Sequence, residues 1–357
     1  MTLKFFSDYF PHFAVMKTED FNYRLPESLI AQKPSDLRDH SRMMIVNRER
    51  ETVELRHFYE IAQFFKEGDA LVINDSRVIP ARLFGTKSTG ATIEILLLAK
   101  GDSPARWEVL LRPAKRVRIG TEISFRDGAY ALVQERLSEK KWILDFHTED
   151  AFDLFLKRNG RAPLPPYIKR RKDGSDYDLD QERYQTVYAK MPGSVAAPTA
   201  GLHFSEEILE KLENHGVDIV RVTLHVGYGT FLSIEADNIE DHVMENESYE
   251  VSTEAAEKIG KAQRITATGT TSVRVLESAT APSGMTSAGP GSTNLFIYPG
   301  YRFKKVDRLI TNFHLPKSSL YLLTCAFAGK ELIEKAYKIA VDEGFRFYSY
   351  GDCMLIE

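Results

Sequence analysis

The residues with the most evident chemical capacity lie in small-residue turns that directly follow β-prone segments. Such turns occur at 227–230, 269–272 and 317–319. In open α/β sheets, ligands bind at the carboxyl ends of strands, where helix N-termini offer free N–H groups to carboxylates and phosphates. The second turn, with Arg274 beyond it, therefore predicts an anion site, and ordinary helix capping is the alternative. The residues of this turn are Gly269, Thr270, Thr271 and Ser272.

Three histidines and one aspartate are candidates for proton transfer. His203 stands in PTAGLHF, His225 in TLHVGYGTF and His314 in TNFHLP. A histidine among apolar residues is more often a hydrogen-bonded packing residue than a catalyst. Asp75, close to Arg77 at the end of a β-prone segment, seldom serves packing, and capping of a turn is its alternative role. The sequence does not rank the three histidines.

No standard nucleotide-binding fingerprint accompanies these residues. Gly227 and Gly229 form a lone GxG, and no GxxxxGK[ST] loop occurs in the chain. A dinucleotide-type or methyltransferase-type Rossmann site is therefore not supported.

The elements that must position these residues change character along the chain. Between 78 and 146, six short β-prone segments are separated by turn residues such as Gly90, Gly120 and Gly128. Short strands at a spacing of about ten residues predict a small antiparallel β-barrel.

The flanking sequence alternates helices with strands, which indicates a layered α/β domain. The predicted fold is therefore α/β: a discontinuous larger domain, 16–77 and 147–357, with an inserted six-stranded antiparallel barrel at 78–146. Residues 1–15 are predicted to be an N-terminal extension. The Gly/Pro/Ser-rich stretch 281–293 is predicted to be a mobile loop.

Composition restricts the possible chemistry. Apolar residues make up 43% and charged residues 27%, as in a soluble globular protein. The only cysteines, Cys325 and Cys353, supply neither a disulfide framework nor the three thiolates of a radical-type iron–sulfur cluster. We therefore expect polar chemistry without a metal. No apolar run is long enough to cross a bilayer, so we expect a cytoplasmic protein without a membrane partner.

Three basic clusters stand out on a chain whose formal net charge is -4. Taken singly, each is explained by a solvated face, but together they suggest patches that meet phosphates. The clusters are Arg112, Lys115, Arg116 and Arg118; Lys169, Arg170, Arg171 and Lys172; and Arg302, Lys304, Lys305 and Arg308.

Longer blocks of sequence carry a more specific signal. These blocks are YRLPESLIAQKP (23–34), ALVINDSRVIPARL (70–83), RYQTVYAKMPGSVAAPTAGLHF (183–204), VTLHVGYGTF (222–231), GTTSVRVLES (269–278), LFIYPGYRFKKVDRLITNFHLPKSSLYLLTCAFAG (295–329) and YSYGDCMLI (348–356). From residue 16 to the C-terminus, the chain resembles the S-adenosylmethionine:tRNA ribosyltransferase-isomerase family of queuosine biosynthesis. That family's fold, a discontinuous α/β domain with an inserted six-stranded barrel, agrees with the fold predicted from periodicity.

The resemblance implies an activity. Such enzymes transfer the ribosyl part of S-adenosylmethionine to the aminomethyl group of a 7-deazaguanine at the tRNA wobble position, and they release adenine and methionine. The product is epoxyqueuosine. The implied partners are S-adenosylmethionine, as ribosyl donor, and the tRNA that bears the modified base. We expect a monomer.

This chemistry needs a general base for an acidic C5′ proton, a donor for departing adenine, and an anion seat for the methionine carboxylate. The candidate catalytic residues are His203, His225 and Asp75. The candidate substrate-binding residues are Gly269, Thr270, Thr271, Ser272, Arg274, His314, Arg82 and Tyr228. The candidate RNA-binding residues are Lys169, Arg170, Arg171, Lys172, Lys304 and Lys305. The modified base would be splayed out and stacked on an aromatic side chain such as Tyr228 or Tyr298.

Two other hypotheses stay open on the sequence alone. One is a hydrolase or lyase that holds a small phosphorylated ligand in the Gly/Thr turns. The other is a non-catalytic RNA-binding module built on the barrel, because small barrels often bind nucleic acid. Binding of S-adenosylmethionine would discriminate against the first hypothesis. Release of adenine from S-adenosylmethionine in the presence of tRNA would eliminate the second.

Overall fold

The secondary structure comes from a computed structural model, which describes residues 15–170, 176–231 and 233–357. Its strands, in chain order, are β1 (Arg42–Asn47), β2 (Thr52–His57), β3 (Asp69–Asn74), β4 (Ser76–Val78), β5 (Arg82–Thr86), β6 (Thr92–Lys100), β7 (Arg106–Arg112), β8 (Glu122–Ser124), β9 (Tyr130–Arg136), β10 (Lys141–His147), β11 (Met191–Ser194), β12 (Asp218–Leu224), β13 (Glu247–Val251), β14 (Arg264–Thr268), β15 (Gly289–Thr293), β16 (Arg308–Asn312) and β17 (Cys353–Ile356).

Helices cover the sheets that these strands form. The α-helices are α1 (Phe152–Asn159), α2 (Tyr177–Arg183), α3 (Glu206–Asn214), α4 (Thr253–Lys261), α5 (Gly269–Ala279), α6 (Ser319–Ala328) and α7 (Lys330–Asp342). Short 3-10 helices lie at Thr18–Phe21, Glu27–Leu29, Arg38–His40, Phe58–Phe64, Ala114–Arg116, Thr199–His203, Tyr228–Phe231 and Ile239–Asp241.

The larger domain is organised around a mixed sheet of order β15-β13-β12-β3-β14-β16-β17-β1-β2. Its centre, β12-β3-β14-β16, is parallel. Along β3, Ala70 and Val72 pack into one hydrophobic cluster while Leu71 and Ile73 pack into another. Since successive side chains of a strand point to opposite faces, the sheet is buried on both faces, which explains the continuous apolar run DALVIN.

The inserted domain is a closed barrel of strand order β10-β7-β6-β5-β8-β9, in which neighbouring strands are antiparallel. Alternating residues such as Trp107, Val109 and Leu111 fill its interior, which forms a hydrophobic cluster separate from those of the larger sheet. The predicted fold class is therefore confirmed. The barrel core also takes in Phe155 of α1, beyond the boundary predicted at residue 146.

The structure differs from the sequence prediction at 281–293. Part of that stretch forms β15, which pairs antiparallel with β13 at the edge of the large sheet. Strand pairing uses backbone groups, so a glycine-rich segment can take part, and Gly291 lies under the ring of Tyr249, where a Cβ would come within 2.4 Å. Residues 1–14 of the predicted extension lie outside the described residues.

Candidate active site

Four predicted functional segments meet at one edge of the large sheet. Because β12, β3, β14 and β16 are parallel, their carboxyl ends share an edge. Asp75 follows β3, His225 follows β12, Gly269 follows β14 and His314 lies two residues beyond β16. This edge is where open α/β sheets bind ligands, and it carries the candidate site.

A cleft at this edge opens at the N-terminus of α5. Its lining includes Thr199, Thr230, Gly269, Thr270, Thr271 and His314. Gly269 has φ +81°, a conformation that favours glycine, and it turns the chain from β14 into the helix. Thr268 occupies the N-cap without making a side-chain cap. The first-turn N–H groups of α5 therefore lack the usual side-chain acceptor.

Two buried hydroxyls near this helix start are also unsatisfied. Thr268 Oγ1 and Thr271 Oγ1 have no hydrogen-bond partner among the described residues. Thr271, which lines the cleft, is 6% exposed. A buried hydroxyl without a partner costs about 1–3 kcal/mol, and an anion at the helix start would satisfy it together with the N–H groups. Ser272 differs, since its hydroxyl donates to the Thr268 carbonyl at 2.7 Å.

The expectation that Arg274 faces the cleft is wrong. Arg274 is 4% exposed, and its guanidinium forms an ion pair with Glu247, which is itself buried. It also donates to the carbonyl oxygens of Leu295 at 3.2 Å and Thr293 at 3.3 Å. Its side chain thus ties α5 to β13, to the last residue of β15 and to the segment that follows. With its donors engaged there, it has no role at the proposed anion seat.

Glu277, one turn further along α5 than Arg274, does not pair with that arginine in the structure and is bonded elsewhere. Glu277 accepts the backbone N–H groups of Lys304, Lys305 and Val306 at 2.8, 3.0 and 3.2 Å. It is 1% exposed and holds the turn that leads into β16.

A second cavity continues the cleft along the sheet edge and shares Thr199, Thr230 and His314 with the first. Here His314 is 7% exposed, its Nε2 is 2.7 Å from Thr311 Oγ1, and its backbone N–H donates to Tyr337. Burial lowers the pKa of His314 to about 3, so the ring is neutral at physiological pH. His314 is therefore suited to hydrogen bonding or packing in the cleft rather than to carrying charge.

His203 has the contacts of a packing residue. Asn312 Nδ2 donates to its Nε2 at 3.1 Å, so the neutral ring carries its proton on Nδ1 and donates to Ser41 Oγ at 2.7 Å. Burial lowers the pKa of His203 to about 3, and the nearby charges of Arg346 and Arg38 act in the same direction. Neither ring nitrogen is left over for a substrate, which disfavours His203 as the proton-transfer residue.

His225 is the histidine whose contacts suit proton transfer. Ser194 Oγ accepts the Val226 N–H at 2.9 Å and lies 2.6 Å from Ser76 Oγ, which in turn lies 2.9 Å from His225 Nδ1. Because a serine hydroxyl can donate to Nδ1 or accept from it, this contact supports both protonation states. Among the described residues, Nε2 has no hydrogen-bond partner.

Burial and neighbouring charges shift the pKa of His225 in opposite directions. Desolvation by partial burial lowers the pKa of His225, while the negative charges of Asp75 and Glu250 raise it. The net direction is downward, so the ring is neutral near pH 7 and can accept a proton. Asp75 is 6% exposed and accepts a hydrogen bond from Thr223 Oγ1 at 2.7 Å, which holds its carboxylate near the histidine.

The backbone at Gly193 restrains the imidazole from one side. A Cβ added at Gly193 would lie 2.7 Å from His225 Nδ1, and its φ of +151° lies in the range that favours glycine. Sequence reasoning singled out neither Gly193 nor the hydroxyls of Ser76 and Ser194. The sequence signal that could have identified the two serines is their position in the blocks 70–83 and 183–204, which also contain Asp75 and His203.

Arg82 and Tyr228 lie at the junction of the two domains. They line a cavity together with Glu94 and Arg112 of the barrel and with Pro165 of the larger domain. Arg82 forms an ion pair with Glu94 at 3.2 Å and donates to the Leu164 carbonyl at 2.6 Å. The two predicted substrate-binding residues are thus brought together, in a cavity lined by neither Thr271 nor His314.

The two clusters predicted to bind RNA are largely engaged within the protein. Arg170 is in bidentate contact with Asp180, with both N···O distances at 2.6 Å, and its prediction as a phosphate ligand is therefore wrong. Lys169 is exposed and pairs with exposed Glu27. Arg171 and Lys172 lie outside the described residues.

In the other cluster, side-chain amines bind neighbouring carbonyl groups. Lys304 Nζ donates to Thr280 O at 2.5 Å, and Lys305 Nζ donates to Gly284 O at 3.3 Å. Arg308 is 2% exposed and pairs with Asp69 at 3.2 Å. Burial lowers the pKa of Arg308 to about 10, so it stays cationic near pH 7, but the pairing leaves it unavailable to a partner.

Fold and cleft together define an α/β enzyme with an inserted barrel and a polar site at the carboxyl edge of its parallel strands. A queuosine biosynthesis protein family matches residues 18–356. The chain therefore belongs to the queuosine biosynthesis protein family, and the predicted family membership is confirmed.

Individual relatives are similar to this chain over their whole length. A protein of Syntrophus aciditrophicus named S-adenosylmethionine:tRNA ribosyltransferase-isomerase is 55% identical, and the match covers 96% of this chain and 100% of the relative. A Geobacter metallireducens protein of the same name is 48% identical with the same coverage. The crystal structure of the S-adenosylmethionine tRNA ribosyltransferase of Thermotoga maritima matches with a TM-score of 0.53 and 36% identity, over 95% of this chain and 100% of that one.

Within 15–170, 176–231 and 233–357, no three His, Cys, Asp or Glu side chains are grouped as metal ligands would be. The same ranges contain no helix long and apolar enough to cross a bilayer.

Proposed function

We propose that the chain transfers the ribosyl moiety of S-adenosylmethionine to a 7-aminomethyl-7-deazaguanine at the tRNA wobble position, forming epoxyqueuosine and releasing adenine and methionine. The observation that carries the proposal is the cleft at the carboxyl sheet edge, where the N-terminus of α5 has no side-chain cap. His225 follows the neighbouring strand β12 at the same edge and contacts Ser76 through Nδ1. The full-length relatives named above support the same reaction class.

The methionine carboxylate would bind at the start of α5. Backbone N–H groups of Gly269, Thr270 and Thr271 are the first of an eleven-residue helix, and the positive end of its dipole favours an anion. The unpartnered hydroxyl of Thr271 adds a donor there. Ser272 would contribute through the backbone, because its hydroxyl is already bonded within the helix.

His225 would carry the proton transfer. The sulfonium of S-adenosylmethionine acidifies the neighbouring C5′ protons, and removing one needs a neutral base within hydrogen-bond reach. Because the pKa of His225 is lowered, its neutral form is available near pH 7, and uptake of the proton at Nε2 leaves Nδ1 as a donor to Ser76. The carboxylate of Asp75 then stabilises the cation that forms.

The modified base would enter the cavity at the domain junction. A splayed-out anticodon base can stack on an aromatic ring, and Tyr228 supplies one beside the Arg82–Glu94 pair. The proposed site uses residues of one chain, as a monomer would require. Cys325 and Cys353 are both free and buried, which suits a reducing cytoplasm.

The test is release of free adenine from labelled S-adenosylmethionine, measured with tRNA that carries the aminomethyl base and, as control, with tRNA that lacks it. Adenine and methionine released in equal amounts, only with the modified tRNA, are expected. Tight tRNA binding without adenine release would instead support a non-catalytic RNA-binding module.

In the active protein, His225→Gln should lower kcat by roughly 10²- to 10⁴-fold, the usual contribution of a positioned acid or base.

A further inference from the structure

The basic cluster on the barrel is presented to solvent at each of its four residues. Arg112, Lys115, Arg116 and Arg118 are all exposed, and none of their side chains has an ion pair or a hydrogen bond to another described residue. We call these four residues the basic edge. The clusters at 169–172 and 302–308 contrast with it, because their described arginines and lysines are mostly engaged with acids or carbonyl groups.

An ordered backbone holds the basic edge in place. Val117 is 5% exposed and packs into the barrel core between the exposed cations. The Arg116 and Val117 N–H groups donate to carbonyls three residues earlier, and Arg118 N–H donates to Thr121 Oγ1 at 3.0 Å. The charges are thus displayed at defined positions, which reduces the entropy lost when a partner binds.

Positive charge is concentrated at this edge although the whole chain carries a net negative charge. Four cations fall within seven residues, while the formal net charge of the chain is -4. The cross-strand neighbour of Arg112 is Glu94, which forms its ion pair with Arg82 instead. Unpaired, exposed guanidinium and ammonium groups in a row are suited to a polyanion, since each can neutralise one phosphate and release its counterions.

The basic edge is continuous with the cavity proposed for the modified base. Arg112 belongs to both, because it lines that cavity beside Arg82 and Tyr228. A nucleic-acid strand whose phosphates follow the edge could therefore place one unstacked base in the cavity. We propose that the basic edge of the barrel is the surface that binds the phosphate backbone of the tRNA, an inference that rests on the proposed function.

The experiment compares two triple variants of the full-length protein. The first, Lys115→Gln, Arg116→Gln and Arg118→Gln, removes three charges from the edge and leaves cavity-lining Arg112 in place. The control, Lys66→Gln, Lys211→Gln and Lys261→Gln, removes three exposed lysines from segments that precede β3, β12 and β14, near the amino edge of the sheet. Binding of the substrate tRNA is measured over a range of salt concentrations, and binding of S-adenosylmethionine is measured alongside.

Each phosphate contact contributes about 0.7–0.9 to the slope of log K against log[salt]. Three lost contacts should therefore reduce the slope by about 2–3, which is roughly a hundredfold in tRNA affinity at about 0.15 M salt. S-adenosylmethionine affinity and melting temperature should stay at wild-type values. The control triple should keep the wild-type slope. A third variant conserves the charges of the basic edge through Lys115→Arg, Arg116→Lys and Arg118→Lys, and it should keep most of the slope.

An edge variant with unchanged tRNA affinity and salt slope would overturn the proposal, as would an equal loss in the control triple. A different result would refute the proposed function: no release of adenine from S-adenosylmethionine by the wild-type protein in the presence of the modified tRNA. A wild-type protein that releases adenine and an edge variant that binds tRNA normally would together refute the surface and leave the reaction intact.

Discussion

Replacing Arg274 by methionine separates a structural arginine from a ligand-binding one. In the folded protein the guanidinium is the ion-pair partner of Glu247, and both side chains are about 5% exposed. After the substitution, the Glu247 carboxylate keeps the Gly227 N–H, at 2.8 Å, as its remaining hydrogen-bond donor among the described residues. Removing one partner of a buried ion pair typically costs about 3–5 kcal/mol, because a charge is left buried without compensation.

The free energy of unfolding, measured by urea denaturation, should therefore fall by about 3–5 kcal/mol in Arg274→Met. Adding Glu247→Gln to the same protein removes the stranded charge and should restore part of that loss. S-adenosylmethionine affinity, measured where the variant is fully folded, should be unchanged. Near-native stability with affinity reduced by roughly ten- to a hundredfold would refute this reasoning, because it is what a cleft-facing charge-assisted hydrogen bond predicts.

Two further predictions concern histidines. Because the pKa values of His203 and His314 are about 3 in the folded protein and about 6.5 when unfolded, the unfolded chain binds more protons between these limits. Stability should thus fall as pH drops from about 6.5 toward 3, by up to about 1.4 kcal/mol per pH unit for each histidine. Urea titrations should show a shallower dependence in His203→Gln; an identical slope would contradict the assignment. Separately, Gly193→Ala should displace His225 and lower kcat for adenine release, whereas Gly260→Ala, where a Cβ meets nothing within 4 Å, should not. Equal activity in both variants would argue against a positioned His225.

Local patterns predicted the elements well where the signal is short-range. The barrel strands were visible because side-chain alternation and turn residues recur within each hairpin, as at Trp107, Val109 and Leu111. The start of α3 depends on an equally local signal, because Ser205 accepts the Ile208 N–H as its cap. The position of Gly269 after a buried strand also located the cleft, because strand ends and helix starts are encoded within a few residues.

What the same patterns could not predict is the partner of each polar side chain. Arg274 binds an acid 27 residues away, and His203 contacts Ser41 and Asn312, which are 162 and 109 residues distant. The sequence does not distinguish the three candidate histidines. In the structure, His225 is only partly buried and its Nε2 has no hydrogen-bond partner among the described residues.

The sequence by itself determined the fold class, the barrel and the placement of the turns, because backbone propensity and apolar periodicity act over short distances. Only the tertiary structure decided which charges remain available. The basic residues at 169–172, 302–308 and 112–118 are similar in composition, but packing pairs Arg170 with Asp180 and Arg308 with Asp69 while leaving the barrel cluster in solvent. Desolvation makes an unpaired buried charge costly, so long-range packing determines which cations bind within the protein and which can meet a partner.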